Sequence, residues 1–461
     1  MDSRSGVATV SSKGIRKKVK NSESVALQRY KIDTYNLLDL DEVLNDVYCS
    51  CRPVSADYDA RKDTLKHLNA LALDICGNIK GSEPVLKAYG SFAMDMFSAR
   101  SDLDVSINFG DGAYDELPRD TKLQILGSSA EKLRSLQGEG HVRNVVAILS
   151  ARVPIVRFFD QRTSVECDLA VDSKYDILNS RIIQIISQID DRFQKLCLLI
   201  KHWAKAHDVN SASHKTLNSI SLTLLVAHHL QTQDPPILPP FSLLLKDGID
   251  PPNVEKRTQE FLNWGQRNKE SLGRLFVTFF VKLQSVEFLW RQGLCVSFLS
   301  GLWISKRWRK AGVGINVEDF IDVSQNVARV VNDRGAKKIY GSINKTVEDL
   351  FEFLNGKIDG GHLKDRLFVP QPVVEPPPPV PPVEVYHQPP HHNYRCDEFK
   401  GRHNKRPRFG DGGYFVHHRH GGEDLMHVGD DNHAVDIPPP PPPFGRVYRI
   451  YCDKFGPQNS P

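Results

Sequence analysis

Two aspartates, Asp102 and Asp104, follow a Gly90-Ser91 pair, with ten residues between Ser91 and Asp102. The stretch reads Tyr89-Gly90-Ser91-Phe92-Ala93-Met94-Asp95-Met96-Phe97-Ser98-Ala99-Arg100-Ser101-Asp102-Leu103-Asp104-Val105. A strand opening on Asp-Leu-Asp puts both carboxylates on one face and Leu103 on the other. Carboxylates held that close repel unless a cation sits between them. Hard oxygen ligands of this kind suit magnesium held together with substrate phosphates. Gly90 lets the backbone turn close to a phosphate. Ser91 and the amides that open the next helical turn can donate to phosphate oxygens. A glycine turn with a serine N-cap also accounts for Gly90 and Ser91, but it leaves the carboxylates unexplained. The chemistry implied is metal-assisted transfer of a nucleotide.

Asp168 lies in Val165-Glu166-Cys167-Asp168-Leu169, with Glu166 and Ala170 on its own face. If that strand lies beside the strand of Asp102 and Asp104, a third carboxylate joins the pair. Three carboxylates and a triphosphate can hold two magnesium ions. One ion would bind an attacking 3′-hydroxyl, lower its pKa and aim it at the α-phosphorus. The other would neutralise the triphosphate and the leaving pyrophosphate. Asp168 would serve the hydroxyl-side ion and could accept the proton. Lys201 and Lys205, at i, i+4 in a basic helix end, present both ammonium groups on one face. Basic residues in a last turn also suit the helix dipole.

These residues need elements to position them. Residues 36–80 read as two helices, the second running from Asp57 to Ile79 with Leu65, Leu68, Leu71, Leu73 and Ile75 at helical spacing. Residues 85–175 carry strands at 85–89, 105–109, 144–149, 153–157 and 164–171, with a helix between Leu123 and Leu136. From Ile177 to Asn355 the pattern is mainly helical, its longest helix expected from about Ser180 to His207. Residues 246–272 are charged and read as a surface insertion. Residues 1–24 are polar, with Lys13, Arg16, Lys17, Lys18 and Lys20 clustered, and read as disordered. That cluster suits a nuclear signal, an RNA-binding arm or a solubilising tail. Beyond Phe368, polyproline runs at 376–379 and 438–443 flank a Gly-, His- and Arg-rich segment that cannot bury a core.

The 461 residues allow two or three domains. A net charge of +4 gives no field diagnostic of nucleic acid, so RNA contacts must come from local patches. The eight cysteines form no zinc spacing and suit a reducing compartment. There is no secretory pattern at the N-terminus and no apolar run long enough to span a membrane. One candidate RNA patch is Lys306, Arg307, Arg309 and Lys310 around Trp308; the alternative is a solvated helix end with its tryptophans in the core. A second patch, Arg402, Lys405, Arg406 and Arg408 near Phe409, Tyr414 and Phe415, lies in the tail. The polyproline runs suit a partner's aromatic groove or serve as spacers.

With these motifs the chain resembles the DNA polymerase β-type nucleotidyltransferase superfamily, and within it the Cid-type terminal RNA nucleotidyltransferases. Gly90-Ser91 followed by Asp102-x-Asp104 is the superfamily signature. Ala151-Arg152-Val153-Pro154-Ile155 with Cys167-Asp168, and Leu198-Leu199-Ile200-Lys201-His202-Trp203-Ala204-Lys205, are more specific matches. Lys201 to His207, Leu217-Asn218-Ser219 and Pro236-Ile237-Leu238-Pro239-Pro240 look like the plant terminal uridylyltransferases that tail small RNAs. The resemblance covers about residues 36–360.

It implies an α+β fold: a polymerase β-like palm and a larger helical, poly(A)-polymerase-associated domain, with a disordered Pro-rich C-terminal tail. The implied organisation is a disordered basic arm (1–35), a helix packing with the helical domain (36–55), the catalytic domain (56–175), the helical nucleotide-recognition domain (176–360) and the tail (369–461). Asp102, Asp104 and Asp168 would bind two Mg2+ or Mn2+ ions. Gly90, Ser91, Lys201, Lys205 and Ser219 would hold the triphosphate, and Asn179 the ribose. Asp319 and Arg329 fall in the nucleotide-recognition loop. Two positions depart from the pattern: Ile220 replaces a base-stacking Tyr, and Gln325 stands where some uridine-specific enzymes carry His. The implied activity is template-independent addition of nucleotides, UTP favoured, to RNA 3′ ends, linked to RNA tailing and decay in the nucleus or cytoplasm. The alternatives are a poly(A) polymerase, a catalytically silent RNA-binding scaffold and a small-molecule nucleotidyltransferase.

Overall fold

The computed structural model describes residues 11–32, 35–77, 83–110, 116–306, 308 and 314–370. The expectations for the Pro-rich tail, its basic patch and its partners, and for Arg307, Arg309 and Lys310, fall outside the described residues.

In chain order the elements are α1 (Ser12–Arg29), α2 (Tyr35–Cys51), α3 (Ser55–Cys76), β1 (Pro84–Tyr89), α4 (Gly90–Ala93), β2 (Leu103–Phe109), α5 (Arg119–Gly138), β3 (Val142–Ile148), β4 (Ile155–Asp160) and β5 (Val165–Val171). There follow α6 (Lys174–Ile186), α7 (Asp191–Ala206), α8 (Ser219–Gln231), α9 (Phe241–Leu244), α10 (Pro251–Gln259), α11 (Leu272–Ser285), β6 (Leu294–Ser297), β7 (Leu302–Ser305), α12 (Asp333–Leu354) and α13 (Gly360–Phe368).

The strands β1 to β5 form one mixed sheet in the order β1-β2-β5-β4-β3. Only β2 and β5 run parallel, with Asp104 opposite Asp168. Alternation sends Leu103, Val105, Cys167, Leu169 and Val171 to one face, where Leu68, Ala72 and Cys76 of α3 and Ile125, Leu126, Ala130 and Leu133 of α5 cover them. The opposite face carries Asp104 and Asp168. One layer of helices on one face therefore leaves the other face open to chemistry, as expected for a palm.

A second core joins α1, α2 and α6 to α13. Leu37, Leu40, Val43, Leu44 and Val47 of α2 recur at helical spacing, and all are buried there. Met94 and Met96, from the loop after α4, insert into this same core. Asp95 between them accepts from Tyr58 Oη of α3 at 2.5 Å and from Gln194 Nε2 of α7 at 3.0 Å. The loop that leads to the aspartates is thus held by both halves of the molecule.

Three sequence expectations change. Residues 12–29, read as part of a disordered arm, form the helix α1. Ser11 caps it by accepting from Gly14 N at 3.1 Å, and Ile15 and Val19 are fully buried beside α11 and β7. Two buried apolar residues among many cations give a weak pattern, and tertiary burial decides the outcome. The single helix expected over 180–207 is two helices. Asp190 adopts an extended backbone (φ −155°) and its side chain caps α7 by accepting from Arg192 N. The insertion at 246–272 contains α10, whose Val254 and Thr258 are fully buried.

Arg192 fixes where α7 begins. Its guanidinium forks Asp190 at 2.8 and 2.7 Å and donates to the carbonyls of Gly265, Asn268 and Glu270. Arg192→Ala leaves the half-buried Asp190 carboxylate without its counter-charge and three carbonyls without this donor. The expected cost is about 3 kcal/mol, read from denaturant midpoints at constant slope.

Candidate active site

The ligand oxygens of Asp102, Asp104 and Asp168 all lie within 4.8 Å of one another. Parallel pairing of β2 with β5 sets Asp104 beside Asp168, and Asp102 immediately precedes β2 on the same face. Burial, reinforced by the charges of Asp102, Asp168 and Asp176, pushes the Asp104 carboxyl well above the usual carboxylate range. A cluster of hard oxygens whose central member resists ionisation fits a divalent cation.

Gly90 makes room for that cluster. Its φ is +67°, and a Cβ there would lie 2.0 Å from Asp104 Oδ2. Its amide donates to Ser180 Oγ of α6 at 2.8 Å, and Ser180 Oγ donates to the Asp176 carbonyl at 2.6 Å. Ser91 follows in α4, which is a single helical turn.

The helix α6 spans the two halves. From its first turn, Tyr175 donates a hydrogen bond to the Asp319 carboxylate. Asp319 is buried and its Oδ1 accepts from Ile321 N at 2.8 Å and Asp322 N at 3.2 Å. Burial raises its pKa against these hydrogen bonds. Asp176, also in that turn, is pushed up to about 6, chiefly by burial, with Arg152 opposing and the Asp319 charge adding. Asn179 lies one turn beyond Tyr175, buried, and its Oδ1 has no hydrogen-bond partner among the described residues. An orphaned acceptor at this place suits a hydroxyl donor of a bound sugar.

Lys201 is buried, and its Nζ donates to the Met96 carbonyl at 3.3 Å. Burial lowers its pKa, while the charges of Asp104 and Asp102 work the other way. Lys205 lies one turn on and is exposed. Ser219 is exposed at the start of α8 and hydrogen-bonds the Asn210 side chain at 3.3 Å. Arg329 is exposed and donates to the Asn326 carbonyl at 3.2 Å. Gln325 is half-buried; its backbone carbonyl accepts from Asp319 N at 3.1 Å. The structure therefore gathers Gly90, the three aspartates and Lys201 closely, and links Asn179 and Asp319 to them through α6. Lys205, Ser219, Gln325 and Arg329 make no hydrogen bond or ion pair with the three aspartates. In the candidate RNA patch, Lys306 Nζ is engaged by Glu318 at 2.5 Å and lies 4.4 Å from the Trp308 ring centroid.

Four side chains escaped the sequence reading. Arg157 of β4 forks Asp168 with two bonds of 2.7 Å, and that pairing raises its own pKa. Arg61 of α3 donates to the carbonyls of Ser98, Ala99 and Ser101, pinning the chain just before Asp102. Tyr175 and Asp176 complete the set. Arg157 left a signal, because it stands between buried Val156 and Phe158 and so faces the carboxylate side of the sheet. Arg61, Tyr175 and Asp176 left none, since their partners are distant in sequence.

Over residues 40–188 the chain matches the family described as "Poly(A) RNA polymerase, mitochondrial-like, central palm domain". Protein HESO1 of Arabidopsis thaliana is 30% identical over 357 residues, 71% of this chain and 68% of that protein. Poly(A) RNA polymerase cid11 of Schizosaccharomyces pombe is 25% identical over 304 residues, 65% of this chain and 60% of its own length. Terminal uridylyltransferase 7 of Homo sapiens is 25% identical over 306 residues, 62% of this chain but 19% of that protein. Among solved structures, Cid1 in complex with its short product ApU superposes with a TM-score of 0.54 at 23% identity, covering 68% of this chain and 93% of Cid1. The mtPAP complex with UTP gives 0.58 at 18% identity, covering 79% and 77%. These two likenesses establish the fold.

Two outcomes test this geometry. Gly90→Ala should leave the far-ultraviolet circular dichroism unchanged and reduce nucleotide transfer by about 100-fold or more, because the new methyl displaces the Asp104 carboxylate. Asp104→Asn should abolish transfer yet stabilise the metal-free protein. The folded state holds the Asp104 proton more tightly than the unfolded chain, so wild-type stability in chelator falls as pH rises above the ordinary carboxylate range. Denaturant midpoints across that window should fall less steeply in the variant, and adding Mg2+ should narrow the gap.

Proposed function

The chain belongs to the Cid-type terminal RNA nucleotidyltransferases, and from that premise we propose that it extends RNA 3′ ends without a template, using UTP in preference to ATP. The observation that carries the transferase reading is the carboxylate cluster set against Gly90 and joined through α6 to the Asp319 loop. Asp102, Asp104 and Asp168 would hold divalent cations, Mg2+ by the hardness of their oxygens. Those ions would activate the 3′-hydroxyl and neutralise the triphosphate.

This chain's own residues do the positioning. Gly90 brings a backbone turn alongside the metal carboxylates, with Ser91 next to receive phosphate oxygens. Lys201 reaches the same place from α7, and a triphosphate there supplies the counter-charge that its burial otherwise lacks. Lys205 and Ser219 lie farther out and are exposed, where they would meet the β- and γ-phosphates. Asn179 offers its orphaned oxygen to the ribose. Asp319, fixed by Tyr175 and two backbone amides, sets the loop from which Gln325 and Arg329 would meet the nucleotide.

The preference for uridine rests on the likeness of residues 151–219 to plant uridylyltransferases and on a terminal uridylyltransferase among the relatives. Against a strict preference stand Ile220, which offers no ring for the base, and Gln325, whose amide can donate and accept. Poly(A) RNA polymerases are also relatives, which makes ATP the competing substrate.

The test is purified full-length protein with Mg2+, labelled single-stranded RNA and each nucleoside triphosphate, separately and in competition. UTP should be incorporated first, with ATP detectable. Gln325→His should sharpen the preference by about tenfold, the scale of one hydrogen bond to a base edge. An enzyme that prefers ATP and ignores Gln325→His is a poly(A) polymerase. A protein that binds RNA and releases no pyrophosphate with any nucleotide is a scaffold.

A further inference from the structure

The outward face of α1 carries four cations, Lys13, Arg16, Lys17 and Lys20, all exposed. Spacings of three (13 to 16, 17 to 20) and four (13 to 17, 16 to 20) make each of them the neighbour of two others on the helix surface. Like charges at these spacings destabilise a helix. Positive charge near the N-terminus also opposes the macrodipole, and the first turn holds no acidic residue. The first acid along the helix, Glu23, turns inward, with its Oε1 fully buried. Ile15 and Val19 nevertheless anchor this helix in the core. A docked helix whose outer surface concentrates cations that make no ion pair among the described residues complements a polyanion.

Its position gives the polyanion a direction. Ser305 N, at the end of β7, donates to Ser12 Oγ at 3.0 Å. The next residue, Lys306, is paired with Glu318, the neighbour of Asp319. The cationic face therefore begins beside the strand that ends against the Asp319 loop.

We propose that this face of α1 docks the phosphate backbone of single-stranded RNA upstream of its 3′ end. The proposal rests on the reading of the chain as an RNA terminal transferase. Phosphate contacts of this kind add affinity without sequence choice, and they serve only an RNA long enough to reach from the cleft to the helix.

The experiment uses full-length protein carrying Lys13→Gln, Arg16→Gln, Lys17→Gln and Lys20→Gln together. Binding of a long single-stranded RNA is measured by fluorescence anisotropy in chelator, across a salt series. Transfer to an oligonucleotide of a few residues is measured separately. Long-RNA affinity should fall about tenfold at low salt, and the slope of log K against log salt should shrink by about 2–3, at roughly 0.7 per phosphate contact on single strands. Transfer to the short RNA should keep its kcat and its KM for UTP. A second variant, Lys13→Glu with Lys17→Glu, puts acids where the dipole favours them. Its thermal midpoint should hold while long-RNA binding weakens, so the loss is not unfolding. Unchanged long-RNA affinity and salt slope in both variants would overturn the proposal and leave the cations to an acidic protein or to solubility. Absence of transfer by the wild type to either RNA would instead strike the transferase reading, and the binding comparison would still stand.

Discussion

Three carboxylates with oxygens inside 4.8 Å repel one another, and much of the palm answers that repulsion. Parallel pairing of β2 with β5 puts Asp104 and Asp168 side by side on neighbouring strands. The backbone ladder imposes the proximity that the charges oppose. Arg157 then neutralises one member by a two-bond fork, and Arg61 clamps the segment before Asp102 through three carbonyls. Gly90 is needed because no Cβ fits beside Asp104. These devices hold a negatively charged hollow in one shape before any cation arrives, which is the preorganisation that electrostatic catalysis demands.

The second constraint is that this hollow shares one frame with the Asp319 loop, more than two hundred residues away in sequence. The helix α6 provides that frame. One of its turns bonds the Gly90 amide through Ser180, and its first turn bonds Asp319 through Tyr175. Because α6 contributes Ile182, Ile183, Ile185 and Ile186 to the larger core, its position is set by packing rather than by the ligand. Asp95 repeats the logic on the other side, joined at once to α3 and α7.

What was legible in the sequence follows from the range of the signal. The strands and the Asp102, Asp104 and Asp168 set were readable because alternation and short spacings are local. The break at Asp190 was readable in principle, since Asp190-Asp191 is a capping signal inside an otherwise continuous apolar pattern. Helix α1 was not, because two buried residues in eighteen give little periodicity and its partners lie on α11 and β7. The same holds inside the site. Arg157 could be found from its place on an alternating strand, whereas Arg61 and Tyr175 act on partners 37 to 144 residues away.

The Asp319 loop is shaped by bonds that do not involve the Gln325 side chain. Asn326 organises it: Oδ1 accepts from Val317 N at 3.0 Å and Ala328 N at 2.9 Å, and Nδ2 donates to Asn316 Oδ1 at 3.2 Å. Asn218, the cap of α8, ties the loop from outside through the Val327 carbonyl at 3.1 Å. Asp319 closes it from the front. With the backbone over-determined in this way, the side chain of Gln325 makes no hydrogen bond among the described residues, while its main chain is held at both ends by Asp319 and Asp322. Replacing that side chain changes the polar group the loop carries and leaves these bonds intact. Under the proposed function, a fixed scaffold with one unconstrained polar position is where base choice would be set, because specificity then costs no stability.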